Sequence, residues 1–131
     1  MKYLIFGNVY VAGHFKKFLG EGAEISTVRI ENYEAVKNEI ASKKPDVVIN
    51  TAGKTGRPNV DWCEDHKLET LTSNVYGPLT LLRVCEELNQ YWAHVGSGCV
   101  YTSETTDQVY SEDDAQNFFG SFYSRTKMWS E

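Results

Sequence analysis

The chain reads as an α/β protein, a parallel sheet of about four strands with helices on both faces. Three observations predict it. Short apolar runs alternate with longer stretches of helical periodicity. Glycines stand where the first run gives way to a helix. The run Val47-Val48-Ile49 is apolar at consecutive positions, as a strand covered on both faces requires.

Strand one is Lys2–Phe6, and a turn at Gly7–Gly13 opens a helix that runs to about Leu19. Strand two is Glu24–Arg29. The helix after it carries Tyr33, Val36 and Ile40 on one stripe and ends at Lys43-Lys44-Pro45. Asp46–Ala52 is the third strand, and a loop through Arg57-Pro58 leads into a long helical stretch. There Leu68, Leu71, Val75, Leu79 and Leu82 recur at threes and fours, with Gly77-Pro78 placed to kink or split the helix. Tyr91–Gly96 is the fourth strand, a polar loop extends to about Gly120, and a last helix begins near Ser121. Strand-helix alternation of this kind is a Rossmann-like half.

Size and charge exclude several classes. A chain of 131 residues is one domain with room for a real core. A net charge of -5 without a basic cluster argues against nucleic acid as partner. No apolar run is long enough to span a membrane, and the opening Lys2–Phe6 is a strand rather than a leader. Cys63, Cys85 and Cys99 fit neither a metal-ligand spacing nor a disulfide framework, and no two of His14, His66 and His94 share metal spacing. A cytoplasmic location is expected.

Open parallel sheets take ligands at the carboxyl ends of their strands. Gly7-Asn8-Val9-Tyr10-Val11-Ala12-Gly13 lies in that place, between a strand and a helix. Read as a dinucleotide fingerprint, it has Tyr10 or Val9 where the glycine that admits the pyrophosphate belongs. Two readings stay open, a phosphate cradle at a helix N-terminus and a tight turn with no ligand. Gly7, Val9, Tyr10, Val11 and Gly13 are the candidate cradle, with Ala52 and Gly53 at the end of the third strand. Arg29, where an acid would favour NADH, can pair with a 2′-phosphate and points to NADPH; its alternative is an arginine facing water. Near the other end of the chain, Tyr123 and Lys127 stand four apart, so one helical face presents both. An ammonium beside a phenol favours phenolate, which suits a general acid/base.

The run Asn50-Thr51-Ala52-Gly53-Lys54-Thr55-Gly56-Arg57-Pro58-Asn59-Val60-Asp61-Trp62-Cys63-Glu64 closely resembles a loop of the plant-type nucleotide-rhamnose synthase/epimerase-reductases. These are extended short-chain dehydrogenase/reductases. The likeness continues through Asn74-Val75-Tyr76-Gly77, Gly96-Ser97-Gly98-Cys99-Val100-Tyr101 and Asn117-Phe118-Phe119-Gly120-Ser121-Phe122-Tyr123-Ser124-Arg125-Thr126-Lys127. More distantly the chain is similar to dTDP-4-dehydrorhamnose reductase and GDP-fucose synthase.

The resemblance implies a rhamnose-forming reaction on a nucleotide-linked 4-keto-6-deoxyhexose, carried by dTDP or UDP. The sugar is epimerised at C3 and C5, and its 4-keto group is reduced by NADPH or NADH. Tyr123 would protonate the developing alkoxide, Ser97 would bind the keto oxygen, and Lys127 would hold the nicotinamide ribose and lower the tyrosine's pKa. Cys99 would be the acid/base of epimerisation, since a thiol can be tuned toward neutrality; the alternative is a small buried residue at a strand end. Arg57 and Asn59, and less directly Asp61, fall where the family meets the sugar nucleotide. Cys85 is left to the core, and His94 reads as a hydrogen-bonded core histidine.

Relatives continue into a carboxyl-terminal region that closes over the sugar. The expectation is therefore that residues 1–131 form the NAD(P)-binding Rossmann-like domain, that the substrate-binding part is absent, and that turnover by this chain alone is absent or very low. The last helix should fray unless packing holds it, and an exposed last strand invites a second copy or the missing half. A non-catalytic nucleotide-binding or interaction module from the same lineage is the alternative.

Overall fold

The computed structural model describes residues 1–7, 10–105, 107–111 and 113–131. Strand β1 (Tyr3–Phe6) lies inside a parallel sheet, flanked by β2 (Ala23–Ile25) and β3 (Val47–Asn50), with β4 (Trp92–His94) beyond β3. The order is β2-β1-β3-β4, and Leu4 pairs with both Glu24 and Val48 while Ile49 pairs with Ala93.

Side-chain alternation sends the strands' residues to two cores. Leu4, Phe6 and Val48 pack with Val36 and Ile40 of helix α2 (Tyr33–Lys43) and with Leu81, Val84 and Cys85 further on. Ile5 and Ile49 face the other way, onto Ala12 and Phe15 of helix α1 (Tyr10–Leu19). The connection through α1 covers one face and that through α2 the other. The carboxyl ends of β1 and β3 therefore diverge at a switch point, the place such sheets reserve for ligands.

The fold is the one expected from the sequence, with shifted boundaries. β2 ends at Ile25, so Arg29 lies in the following loop rather than on the strand. β4 ends at His94, leaving Val95 and Gly96 beyond it. Helix α1 already begins at Tyr10, so Gly13 sits one turn inside it and does not close the turn; a Cβ there would meet nothing within 4 Å. Val9 and Asn8 lie outside the described residues.

The largest correction concerns the long helical stretch. It comprises α3 (Trp62–Asp65), α4 (Lys67–Leu71), a π-helical turn (Thr72–Tyr76) and α5 (Gly77–Glu87). Pro78 has no N–H for the Asn74 carbonyl, and the wider turn before it absorbs that loss. The stripe read from the leucines is not the buried one. Leu68 and Leu79 are 79% and 49% exposed, whereas Thr70, Asn74, Gly77, Leu81 and Val84 are buried. Among the described residues, no helix is long and apolar enough to cross a membrane.

Candidate functional site

Gly7 fixes the geometry at the switch point. Its φ is +106°, and a Cβ on it would come within 2.6 Å of Thr51 Oγ1 and 2.7 Å of the Ala52 nitrogen. Only glycine lets the β1 and β3 ends approach so closely. Between that point and the loop after β2 lies a cavity of about 500 Å³, a size suited to a small-molecule ligand. Gly7, Arg29, Ala52, Gly53 and Lys54 are in its wall. A second cavity of about 350 Å³ shares Gly53 and Lys54 and is lined further by Arg57 and Trp62. The lysine ammonium stands 4.7 Å from the Trp62 ring centroid and 3.7 Å from Glu69. Asn59 lines neither cavity; its Oδ1 accepts from the Asp61 N–H and closes a local turn.

The short helix α6 (Phe122–Met128) brings Tyr123 and Lys127 to the carboxyl end of β4. Contacts along its length replace the fraying expected of so short a segment. The Phe122 N–H donates to Glu64 Oε1 (2.5 Å), and the Ser124 N–H donates to Ser121 Oγ (3.0 Å). Two of the free N–H groups of a helix start are thereby satisfied. Ser124 Oγ donates to the Cys99 carbonyl (2.6 Å), and Lys127 Nζ donates to the Val95 carbonyl (3.2 Å). At the far end Ser130 Oγ lies 3.4 Å from His94 Nε2.

Asn74 ties this helix to the cavities. It is fully buried in the π turn and accepts from the Lys54 N–H (2.6 Å). Its Nδ2 donates to the Lys54 carbonyl (3.0 Å) and to Thr126 Oγ1 (3.1 Å). One amide thus holds the backbone shared by both cavities and the middle of α6. The sequence carries Asn74 only within the Asn74-Val75-Tyr76-Gly77 run, with polar Thr72 and Ser73 just before it.

Ser97 and the thiols of Cys99 and Cys63 lie near enough to the Tyr123 phenol to act on its ionisation. Burial raises the phenol above its usual range; the Ser97 side chain opposes this, and the two thiols add to it. Lys127, expected to lower that value, is not among the groups acting on it. Here the lysine ammonium is turned to the Val95 carbonyl, and burial lowers its own pKa while Glu131 opposes the fall. Ser97 also caps the one-turn 3₁₀ segment Gly98–Val100 by accepting from the Cys99 N–H (3.3 Å). Cys99 is exposed, unlike the buried strand-end residue that was its alternative. Cys63 is buried and faces the Lys54 carbonyl at 3.8 Å, while Cys85 is a core thiol that burial pushes up to about 12.

Tyr10 opens α1 and is exposed, its ring 4.3 Å from that of His14; Val11 is also exposed. Neither residue lines the first cavity. His94 is the hydrogen-bonded histidine expected. Its Nδ1 lies 2.9 Å from Asn50 Nδ2, and burial, with the Lys127 charge adding, pushes it down to about 4. The Asn50 amide donates to Nδ1, because Asn50 Oδ1 already accepts from the Ala52 N–H; the ring proton is therefore on Nε2, facing Ser130.

Comparison with known proteins places this arrangement. A trifunctional UDP-glucose 4,6-dehydratase/UDP-4-keto-6-deoxy-D-glucose 3,5-epimerase/UDP-4-keto-L-rhamnose-reductase of Arabidopsis thaliana is 40% identical over 140 residues, covering 100% of this chain and 21% of that protein. A bifunctional dTDP-4-dehydrorhamnose 3,5-epimerase/dTDP-4-dehydrorhamnose reductase of the same plant is 42% identical over 108 residues, covering 79% of this chain and 36% of that protein. The crystal structure of a UDP-rhamnose synthase from Acanthamoeba polyphaga mimivirus superposes with a TM-score of 0.84 at 31% identity, covering 99% of this chain and 50% of that one. The chain thus spans about a fifth of the trifunctional plant protein and half of the mimiviral one. Residues 10–131 match the RmlD substrate binding domain, and the chain belongs to that family.

Proposed function

We propose that this chain is the nicotinamide-dinucleotide-binding portion of a 3,5-epimerase/4-keto reductase of a nucleotide-linked 4-keto-6-deoxyhexose. The carrying observation is the cluster at the end of β4: a buried phenol, Tyr123, with Ser97 and an exposed thiol, Cys99, beside it. A reductase that only protonates an alkoxide has no use for that thiol. An enzyme that also moves protons alpha to the ketone does.

The residues of the first cavity fit a dinucleotide. Gly7, Ala52 and Gly53 line the cavity with little side-chain bulk, so a phosphate can come close to the backbone there. When bound, the cofactor supplies the hydride for the C4 carbonyl. Tyr123 donates the proton to the oxygen as charge develops, and its raised pKa keeps that proton in place at neutral pH. Ser97 donates a second hydrogen bond to the same oxygen. Lys127 would have to leave the Val95 carbonyl to hold the ribose, and Arg57 in the second cavity would take the diphosphate or sugar hydroxyls. Cys99 would serve one face of C3 or C5, removing or delivering its proton, while inversion takes a second acid/base on the opposite face. Asn59 acts by shaping the Arg57 loop, since its side chain is committed to Asp61.

Calorimetric titration with NADPH and NADH tests the reading. Saturable binding of either, lost in Gly7→Ala, supports it. Absence of binding by both would transfer the chain to the module reading. Exchange of sugar C3 and C5 protons in deuterated water, measured on the full-length protein, should vanish in Cys99→Ala and survive in Tyr123→Phe.

A further inference from the structure

We propose that Glu31 is an internal stand-in for a 2′-phosphate and sets how strongly the adenosine end of the first cavity tells NADPH from NADH. The inference rests on the dinucleotide reading of that cavity. Position 26, directly after β2, is where an acid would grip a ribose diol, and it holds Ser26. That hydroxyl is spent: it is 2% exposed, donates to Glu39 Oε2 (2.5 Å) and accepts from the Val28 N–H (3.0 Å). The reading of the ribose therefore falls to the loop beyond.

There Arg29 and Glu31 both line the cavity and are paired with each other. Arg29 Nε and Nη2 donate to one carboxylate oxygen, Oε1, at 2.8 and 2.5 Å. The guanidinium side chain is 75% exposed and the carboxylate 21%, so the acid is the fixed partner and the arginine the movable one. Glu31 directly precedes Asn32, the N-cap of α2, where the helix dipole favours negative charge. A 2′-phosphate likewise offers the guanidinium anionic oxygens that can accept from its N–H groups. It has to displace Glu31, and it then lies beside a carboxylate that has lost its partner. A free 2′-hydroxyl has no such conflict and can donate to the carboxylate while the ion pair stays intact. The other acid in the wall, Glu69, is engaged with Lys54. Discrimination is thereby held low by one residue.

The experiment titrates the chain and its variants Glu31→Gln, Arg29→Gln and Glu34→Gln with NADPH and with NADH by calorimetry. Glu34 lies in the first turn of α2, is exposed, and does not line the cavity, so it reports the effect of net charge alone. Glu31→Gln should tighten NADPH about tenfold, as expected for removing a like charge at contact distance, and should not tighten NADH. Arg29→Gln should weaken NADPH by about tenfold and leave NADH within about twofold. The NADH isotherm of each variant doubles as its check on folding. A preference ratio that stays within about twofold in Glu31→Gln, or that moves equally in Glu34→Gln, overturns the inference while leaving the dinucleotide site standing. Wild-type chain that binds neither cofactor overturns the site reading and this inference together.

Discussion

Replacing Asn74 by alanine should cost the fold about 2–4 kcal/mol. The magnitude follows from what the amide holds. The Lys54 N–H loses its acceptor at 2.6 Å, and a buried donor left without a partner costs about 1–3 kcal/mol. The Lys54 carbonyl keeps only the weak Cys63 thiol at 3.8 Å. Thr126 suffers less, because its hydroxyl also donates to the Tyr123 carbonyl at 2.7 Å. The side chain is fully buried, so its removal adds a small void. Asn74→Asp should be at least as damaging despite its shape, since an acceptor would then face the Lys54 carbonyl and a charge would be buried. Equilibrium urea unfolding at pH 7.5 measures both. Thr126→Val, at about 1 kcal/mol alone, completes a double-mutant cycle whose coupling should be clearly non-zero. A loss below about 1 kcal/mol for Asn74→Ala would refute the claim that this amide joins the cavity loop to α6.

Further expectations follow from single residues. Protonation of His94 opposes folding. Its value in the folded chain, about 4, lies below the ordinary 6.5, so its contribution is complete above pH 6.5 and lost as the pH falls toward 4. Allowing for its partial exposure, the loss should be about 1–2 kcal/mol between pH 7.5 and 4.5, and His94→Gln should flatten that part of the unfolding profile. Gly13→Ala should raise stability by about 0.5–1 kcal/mol, because the position is mid-helix with open space around it. Gly7→Ala should destabilise and remove cofactor binding in the same thermal-shift assay, with backbone atoms only 2.7 Å from the new methyl. Iodoacetamide should label Cys99 first in the folded chain, with Cys63 and Cys85 protected until denaturant is added; mass mapping that finds Cys63 modified early would contradict the packing around Tyr123.

The order of strands and helices was legible because β1 and β3 are short apolar runs, opened by Lys2 and Asp46, with helical periodicity between them. Strand ends were not. β2 stops at Ile25, and the Ser26 hydroxyl just beyond it is bonded to Glu39, 13 residues away, a contact that no local pattern announces. The leucine stripe misled for a related reason. Leu68 and Leu79 face outward, while Thr70 and Asn74 take buried places because their polar groups are bonded to His66, Lys54 and Thr126. Tyr123, Ser97 and Cys99 were found by motif and do converge. The role given to Lys127 on the tyrosine's pKa rested on i,i+4 spacing and on the resemblance, and spacing shows only that two side chains share a helix face, not where each polar tip is bonded. Asn74, Lys54 and Glu64 were passed over because their partners lie 20 to 58 residues away.

The carboxylate that starts α6 comes from Glu64, 58 residues upstream. Helix nucleation is unfavourable in a segment of seven residues, so α6 has no independent existence. It forms only once the Trp62–Asp65 turn and the Asn74 amide are already in place. The phenol and ammonium it carries are therefore among the last groups to be ordered as the chain folds, and among the first released when it opens locally. Native-state hydrogen exchange should show the amides of residues 122–128 opening together with those of 62–65, well before the amides of β1 and β3.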